Sequence, residues 1–74
     1  MTVARYSPPR LEHITWLDEG HETDGHVLVA HEGERLVVVT RVARNRRHLS
    51  DPILLPRADI LARVAVSPEE FFSP

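Results

Sequence analysis

Residues 26–44, HVLVAHEGERLVVVTRVAR, constrain the fold more than any other part of the chain. Two valine- and leucine-rich runs flank Glu32-Gly33-Glu34, the pattern of two β-strands joined by a tight turn. With Gly33-Glu34 as the loop, Glu32 faces Arg35, His31 faces Leu36 and Val29 faces Val38. One face of the hairpin then carries Val27, Val29, Leu36, Val38 and Val42, and the other carries Leu28, Ala30, Val37, Val39 and Ala43. A sheet with one wet face alternates apolar with polar residues. This hairpin does not, so both faces need cover, from a closed barrel, a flanking helix or another chain.

The 74 residues suffice for a single small domain spanning 1–74, with residues 1–9 a loose N-terminus that pins Val3 or Tyr6 against the body. Ser7-Pro8-Pro9 blocks regular pairing there. No segment reads as a signal peptide or a membrane span, so a cytoplasmic protein with no membrane partner is expected. Cysteine is absent, which excludes disulfides, thiolate metal sites and cysteine nucleophiles. All nine basic residues are arginine, so there is no lysine for a Schiff base, a general base or a phosphate loop.

The flanks of the hairpin are harder to read. Residues 10–20, RLEHITWLDEG, fit a helix capped by Ser7 and Pro8 that puts Leu11, Ile14 and Leu17 on one face. They fit a strand equally well, with Ile14 and Trp16 pointing one way and His13, Thr15 and Leu17 the other. Residues 18–25, DEGHETDG, read as a polar loop. Residues 45–52 form a loop ended by Pro52, and Ile53, Leu54 and Leu55 make a short buried piece before Pro56. Residues 57–66 are again double-valued, and a strand is preferred because it can close the sheet against the hairpin. Ser67-Pro68-Glu69-Glu70 then starts a short terminal helix bearing Phe71 and Phe72. The expected fold is mainly β: a small β-barrel or strongly twisted antiparallel sheet with one or two short helices.

Charge is segregated along the chain. Seven carboxylates and no arginine lie between Glu12 and Glu34, and five arginines and no carboxylate lie between Arg35 and Arg47. Opposite charges can simply pair across a small fold. If the asymmetry instead marks a contact surface, its residues are Arg41, Arg44, Arg46, Arg47 and His48, with the acidic Asp18, Glu19 and Glu22.

The enzymatic chemistries are poorly supported. His13, His21, His26 and His31 stand near Asp18, Glu19, Glu22 and Asp24, but their spacing matches no compact metal motif, and no metal or other cofactor is expected. His26 and His31 are an odd step apart, which puts them on opposite faces of a strand. Ser7, Ser50, Ser67 and Ser73 all sit beside proline or in turns, and none lies in a nucleophile elbow. Nucleic acid is the second partner class, through Arg41, Arg44, Arg46 and Arg47 with Trp16 or Tyr6 stacking on a base. A net charge of −2 works against it.

Three short segments carry a family resemblance: Asp24-Gly25-His26-Val27-Leu28-Val29, Val38-Val39-Thr40-Arg41-Val42 and Ile60-Leu61-Ala62-Arg63-Val64. Together they make residues 24–66 resemble the C-terminal barrel of LexA-like self-cleaving repressors and signal-peptidase-like proteases. The resemblance implies a small β-barrel. It does not imply activity: Thr40 stands where the family's catalytic lysine would be, and the region upstream is too short for the nucleophilic serine. The expected function is therefore non-enzymatic. It is that of a small protein-binding regulator, such as an inhibitor, adaptor or accessory protein of a phage or other mobile element. It would act through the hairpin scaffold, the charged loops or an exposed strand edge. A second copy of the chain is among the partners the sequence allows.

Overall fold

The computed structural model describes residues 9–32 and 35–73. The expectations for the first eight residues and for the Gly33-Glu34 loop lie outside the described residues. Five strands, β1 (Arg10–Asp18), β2 (His21–Glu32), β3 (Arg35–Arg41), β4 (Ile53–Leu54) and β5 (Ile60–Ala65), form one antiparallel sheet in the order β4-β3-β2-β1-β5. A 3-10 turn at Arg57–Asp59 precedes β5, and helix α1 (Pro68–Phe71) follows it. No helix among the described residues is long and apolar enough to cross a membrane.

Residues 10–18 are a strand, and the helical reading falls away. Ile14 and Trp16 do point one way, both buried in the main core, as strand alternation requires. The polar loop expected at residues 18–25 is instead a tight turn and the start of a long strand. Asp18 pairs with His21, and both residues between them, Glu19 and Gly20, have positive φ (50° and 83°). That is the two-residue hairpin geometry whose twist matches the flanking strands. The four carboxylates of this segment do not prevent pairing, because Asp18, Glu22 and Asp24 all face solvent.

The second hairpin has the expected register, with Glu32 opposite Arg35, His31 opposite Leu36 and Val29 opposite Val38. Beyond that point the register shifts: Leu28 pairs with Thr40, so Val39 is an extra residue on β3. Side chains after a one-residue bulge exchange faces. Val42 therefore leaves the face of Val27, Val29, Leu36 and Val38, where simple alternation put it, and joins Leu11 and Phe71 on the other side. Arg41 is turned inward in its place.

Both faces of the hairpin are covered. Ile14, Trp16, Val27, Val29, Leu36, Val38 and Leu55 form the inner core, with Ile60 packed against it. Leu11, Val42 and Phe71 form the outer one, with Leu28, Val66 and Phe72 around them. A fully buried aliphatic side chain contributes roughly 1.5–3 kcal/mol, and Ile14, Val27 and Val38 are at 0% exposure. The terminal helix supplies the outer cover through its phenylalanines. Ser67 stands at its N-cap, but its side chain makes no capping hydrogen bond.

The inner cover comes from curvature of the sheet. β4 and β5 lie on opposite edges, yet only Leu55, Pro56 and the 3-10 turn separate them in sequence. Three extended steps and three 3-10 steps reach ~16 Å. The outer strands of a flat five-stranded sheet stand ~19 Å apart. The sheet must curl to let the chain cross, and it then wraps around Trp16 and Leu36. It remains an open, twisted sheet, since β4 and β5 do not pair with each other.

Candidate functional site

The gap left by this curl holds a cavity of about 310 Å³, lined by His31, Arg35, Leu36, Leu54, Leu55, Pro56, Arg57 and Arg63. It lies between β4 with the linker behind it on one side and the Arg63 side chain of β5 on the other, where the sheet does not close. Its volume is near the lower end of the ~300–1,000 Å³ typical of ligand sites. That is room for one or two side chains of a bound segment.

Each wall has a local cause. Leu36 is the first inward residue of β3 and is buried. Leu54 belongs to a strand of only two residues, ended by Leu55 and Pro56, and is 51% exposed. Pro56 holds an extended backbone (φ −60°, ψ 136°) and cannot donate a ladder hydrogen bond, so β4 stops there and the chain turns into the 3-10 segment that begins with Arg57. His31 is on the opposite face of β2 from His26: the former lines the cavity and the latter packs its ring on Phe71 at 4.3 Å.

Arg63 is the structural arginine of the group. It lies opposite Ile14 on β5 and reaches diagonally to Glu12, donating from Nε at 2.8 Å and Nη2 at 2.9 Å to the two carboxylate oxygens. Glu12 is buried, with 5% of its side chain exposed. The hydrogen bonds from Arg63 hold its carboxyl below the ordinary carboxylate range, against the opposing effect of burial. Arg57 forms no hydrogen bond or ion pair among the described residues, and it is exposed.

The arginines expected to make one patch are divided among different settings. Arg41 is drawn inward by the bulge, with its guanidinium 5.7 Å from the Trp16 ring centroid and against Gly25. Its Nε is buried without a hydrogen-bond partner among the described residues. Arg44 lies over Phe71 at 5.5 Å and Arg46 over Phe72 at 5.1 Å, which ties the loop after β3 to α1. Arg47 and His48 stay exposed in that loop, where the Arg47 N–H donates to Asn45 Oδ1 at 3.0 Å. Asp18, Glu19 and Glu22 gather at the exposed tip of the β1–β2 hairpin.

Other polar groups are engaged in the fold. Thr40 is buried and donates its hydroxyl to the Ser50 carbonyl at 2.6 Å, while Ser50 Oγ accepts from the Arg41 N–H at 3.2 Å. Together they fasten the loop after β3 to the strand. His13 Nε2 donates to Asp24 Oδ2 at 2.9 Å and its ring lies 4.8 Å from that of His26. Among the described residues no three His, Asp or Glu side chains gather as a metal site.

The cavity residues were not singled out by sequence reading. Two signals point to them in retrospect. Arg63 is the one charge on an otherwise apolar strand, which calls for a buried partner, and Ile53-Leu54-Leu55 is an apolar run trapped between two prolines. Comparison with known protein families, with curated proteins and with solved structures finds no match to the chain.

Proposed function

We propose that this chain is a non-enzymatic protein-binding domain that accepts an extended segment of a partner at the open side of its sheet. The observation that carries the reading is the cavity between β4 and β5, flanked by two strand edges that have no neighbour in the sheet among the described residues. Edge strands are normally blunted by charge or proline. β5 has one charge, Arg63, which Glu12 draws onto the inner face. Leu61, at the register shift of this edge strand, is 50% exposed, and Val64, opposite His13 on the other face, is 60% exposed. On the other side Ile53 and Leu54 are exposed beside the cavity. An extended segment satisfies an unpaired edge through its backbone and fills a flanking cavity with a side chain. A cavity this small suits an anchor residue better than an enclosed substrate.

In-cell photocrosslinking tests this directly. A photoreactive residue at Leu54, Leu61 or Val64, in the chain's own host, is expected to give a discrete protein adduct. The same residue at Glu70, on the outward side of α1, is expected to give none. A folded protein that yields no protein adduct from any of the first three positions would overturn the reading.

A further inference from the structure

We propose that the cavity reads a carboxylate: the segment it accepts is acidic, and Arg57, with Arg35 beside it, takes a side-chain carboxylate while a neighbouring apolar side chain enters between Leu36, Leu54, Leu55 and Pro56. This rests on the protein-binding reading above and names the chemistry of its partner.

The composition of the lining is the first argument. Of the eight described residues around the cavity, four are apolar, three are arginine, one is histidine and none is a carboxylate. The chain as a whole carries a net charge of −2, so this concentration of positive charge runs against the overall balance. An apolar floor under a cationic rim complements a ligand that is apolar and anionic at adjacent points.

The second argument is the division of labour among the arginines. Arg63 already donates to both oxygens of Glu12, so its charge is balanced. Arg57 is exposed on the rim, with no hydrogen bond or ion pair among the described residues, and it opens the 3-10 turn directly after Pro56, whose own φ is held by its ring. A guanidinium in that position presents two parallel N–H donors, which match a carboxylate geometrically.

The third argument separates a peptide from a phosphate backbone. Three of the arginines that could extend the basic surface are engaged elsewhere: Arg41, the last residue of β3, on Trp16, and Arg44 and Arg46, in the loop after it, on Phe71 and Phe72. What remains at the cavity is local, sized for one carboxylate and one apolar group, and not a track for successive phosphates. A peptide supplies both groups on adjacent residues.

The test uses the full chain and three capped hexapeptides in which leucine alternates with glutamate, glutamine or lysine. Binding is followed by methyl and backbone NMR shifts. The glutamate peptide is expected to shift Leu36, Leu54 and Leu55, and to bind at least ten-fold more tightly than the glutamine peptide. Arg57→Glu is expected to weaken the glutamate peptide ten-fold or more and to favour the lysine peptide, while Arg57→Lys keeps part of the affinity. Circular dichroism of each variant checks that the fold is retained. The inference is overturned if the glutamate and glutamine peptides bind alike, if shifts fall on residues 44–48 instead, if no peptide binds, or if a short single-stranded oligonucleotide displaces the glutamate peptide from the cavity. A crosslinked partner that the Arg57→Glu variant still binds would overturn the carboxylate inference and leave the protein-binding reading standing. Peptide binding at the cavity without any crosslinked partner in cells would do the reverse.

Discussion

Arg63 grips both carboxylate oxygens of Glu12, at 2.8 and 2.9 Å, across 51 residues of sequence and the β1–β5 junction. The pair anchors the last strand to the first and forms one side of the cavity. Glu12 is almost fully buried while Arg63 keeps 31% of its side chain exposed, so solvent screens the pair in part. Removing one partner leaves the other uncompensated. Arg63→Leu should therefore cost more than the ~1 kcal/mol of an exposed pair and less than the ~3–5 kcal/mol of a fully buried one. Urea denaturation of Arg63→Leu, Glu12→Leu and the double variant should show the double variant losing less than the sum of the singles.

Acid should loosen this junction. The Glu12 carboxyl is held below its ordinary value of 4.5 by the hydrogen bonds from Arg63. A depressed folded-state carboxylate binds fewer protons than the unfolded chain, so stability rises with pH through that range. The contribution is complete above 4.5 and is lost as pH falls through the folded-state value. Melting curves between pH 5 and about 2 should show a slope that Glu12→Gln removes.

His26 should give a separate step nearer neutrality. Burial, followed by the nearby His13 and Arg44, pushes its pKa below the ordinary 6.5. The neutral ring packs on Phe71. Because the folded-state value is depressed, the stabilisation is present above 6.5 and disappears as pH falls through the folded-state value. The protection factors of the α1 amides, corrected for the intrinsic pH dependence of exchange, should fall on acidification below 6.5 in the parent and stay flat there in His26→Phe.

Gly25 and Arg41 should reveal how tightly the inner space is filled. A Cβ at Gly25 would sit 3.2 Å from Arg41 Nε and 3.3 Å from Nη2. Alanine in a strand recovers ~0.5–1 kcal/mol relative to glycine, and the flexible Arg41 tip needs to move by only a few tenths of an ångström. Gly25→Ala should be near neutral. Gly25→Val should overpack the site, cost ~1–3 kcal/mol and shift Trp16 fluorescence as Arg41 leaves the ring.

Phe71 should be the residue on which the outer core depends. Phe71→Ala should cost about 3 kcal/mol, the low end for a buried phenylalanine, because a four-residue helix can detach without opening the inner core. Arg44→Ala and Arg46→Ala, which remove the cations over Phe71 and Phe72, should each cost ~0.5–1 kcal/mol. Thermal melts of the three variants would order these effects.

The legible part of the fold is the part with local causes. The β2–β3 register follows from alternation around Glu32 and Arg35, and the terminal helix follows from Ser67-Pro68 and two acidic residues. The turn at Glu19-Gly20 was hidden by its own polarity: three carboxylates around it resemble a loop, yet a two-residue turn needs only the positive φ that Gly20 provides without strain. The candidate site was illegible for a different reason. Arg35, Arg57 and Arg63 are far apart in sequence and meet only because the sheet curls.

The sequence by itself determined that the chain forms a strand-rich fold whose central hairpin is apolar on both faces, because side chains alternate every two residues and the aliphatic positions follow that period. Only the tertiary structure decided which arginine does what. One extra residue at Val39 turns Arg41 inward onto Trp16, and Glu12 selects Arg63 from across the sheet. A bulge and a long-range ion pair are both settled by packing against residues distant in sequence, and local periodicity carries no record of them.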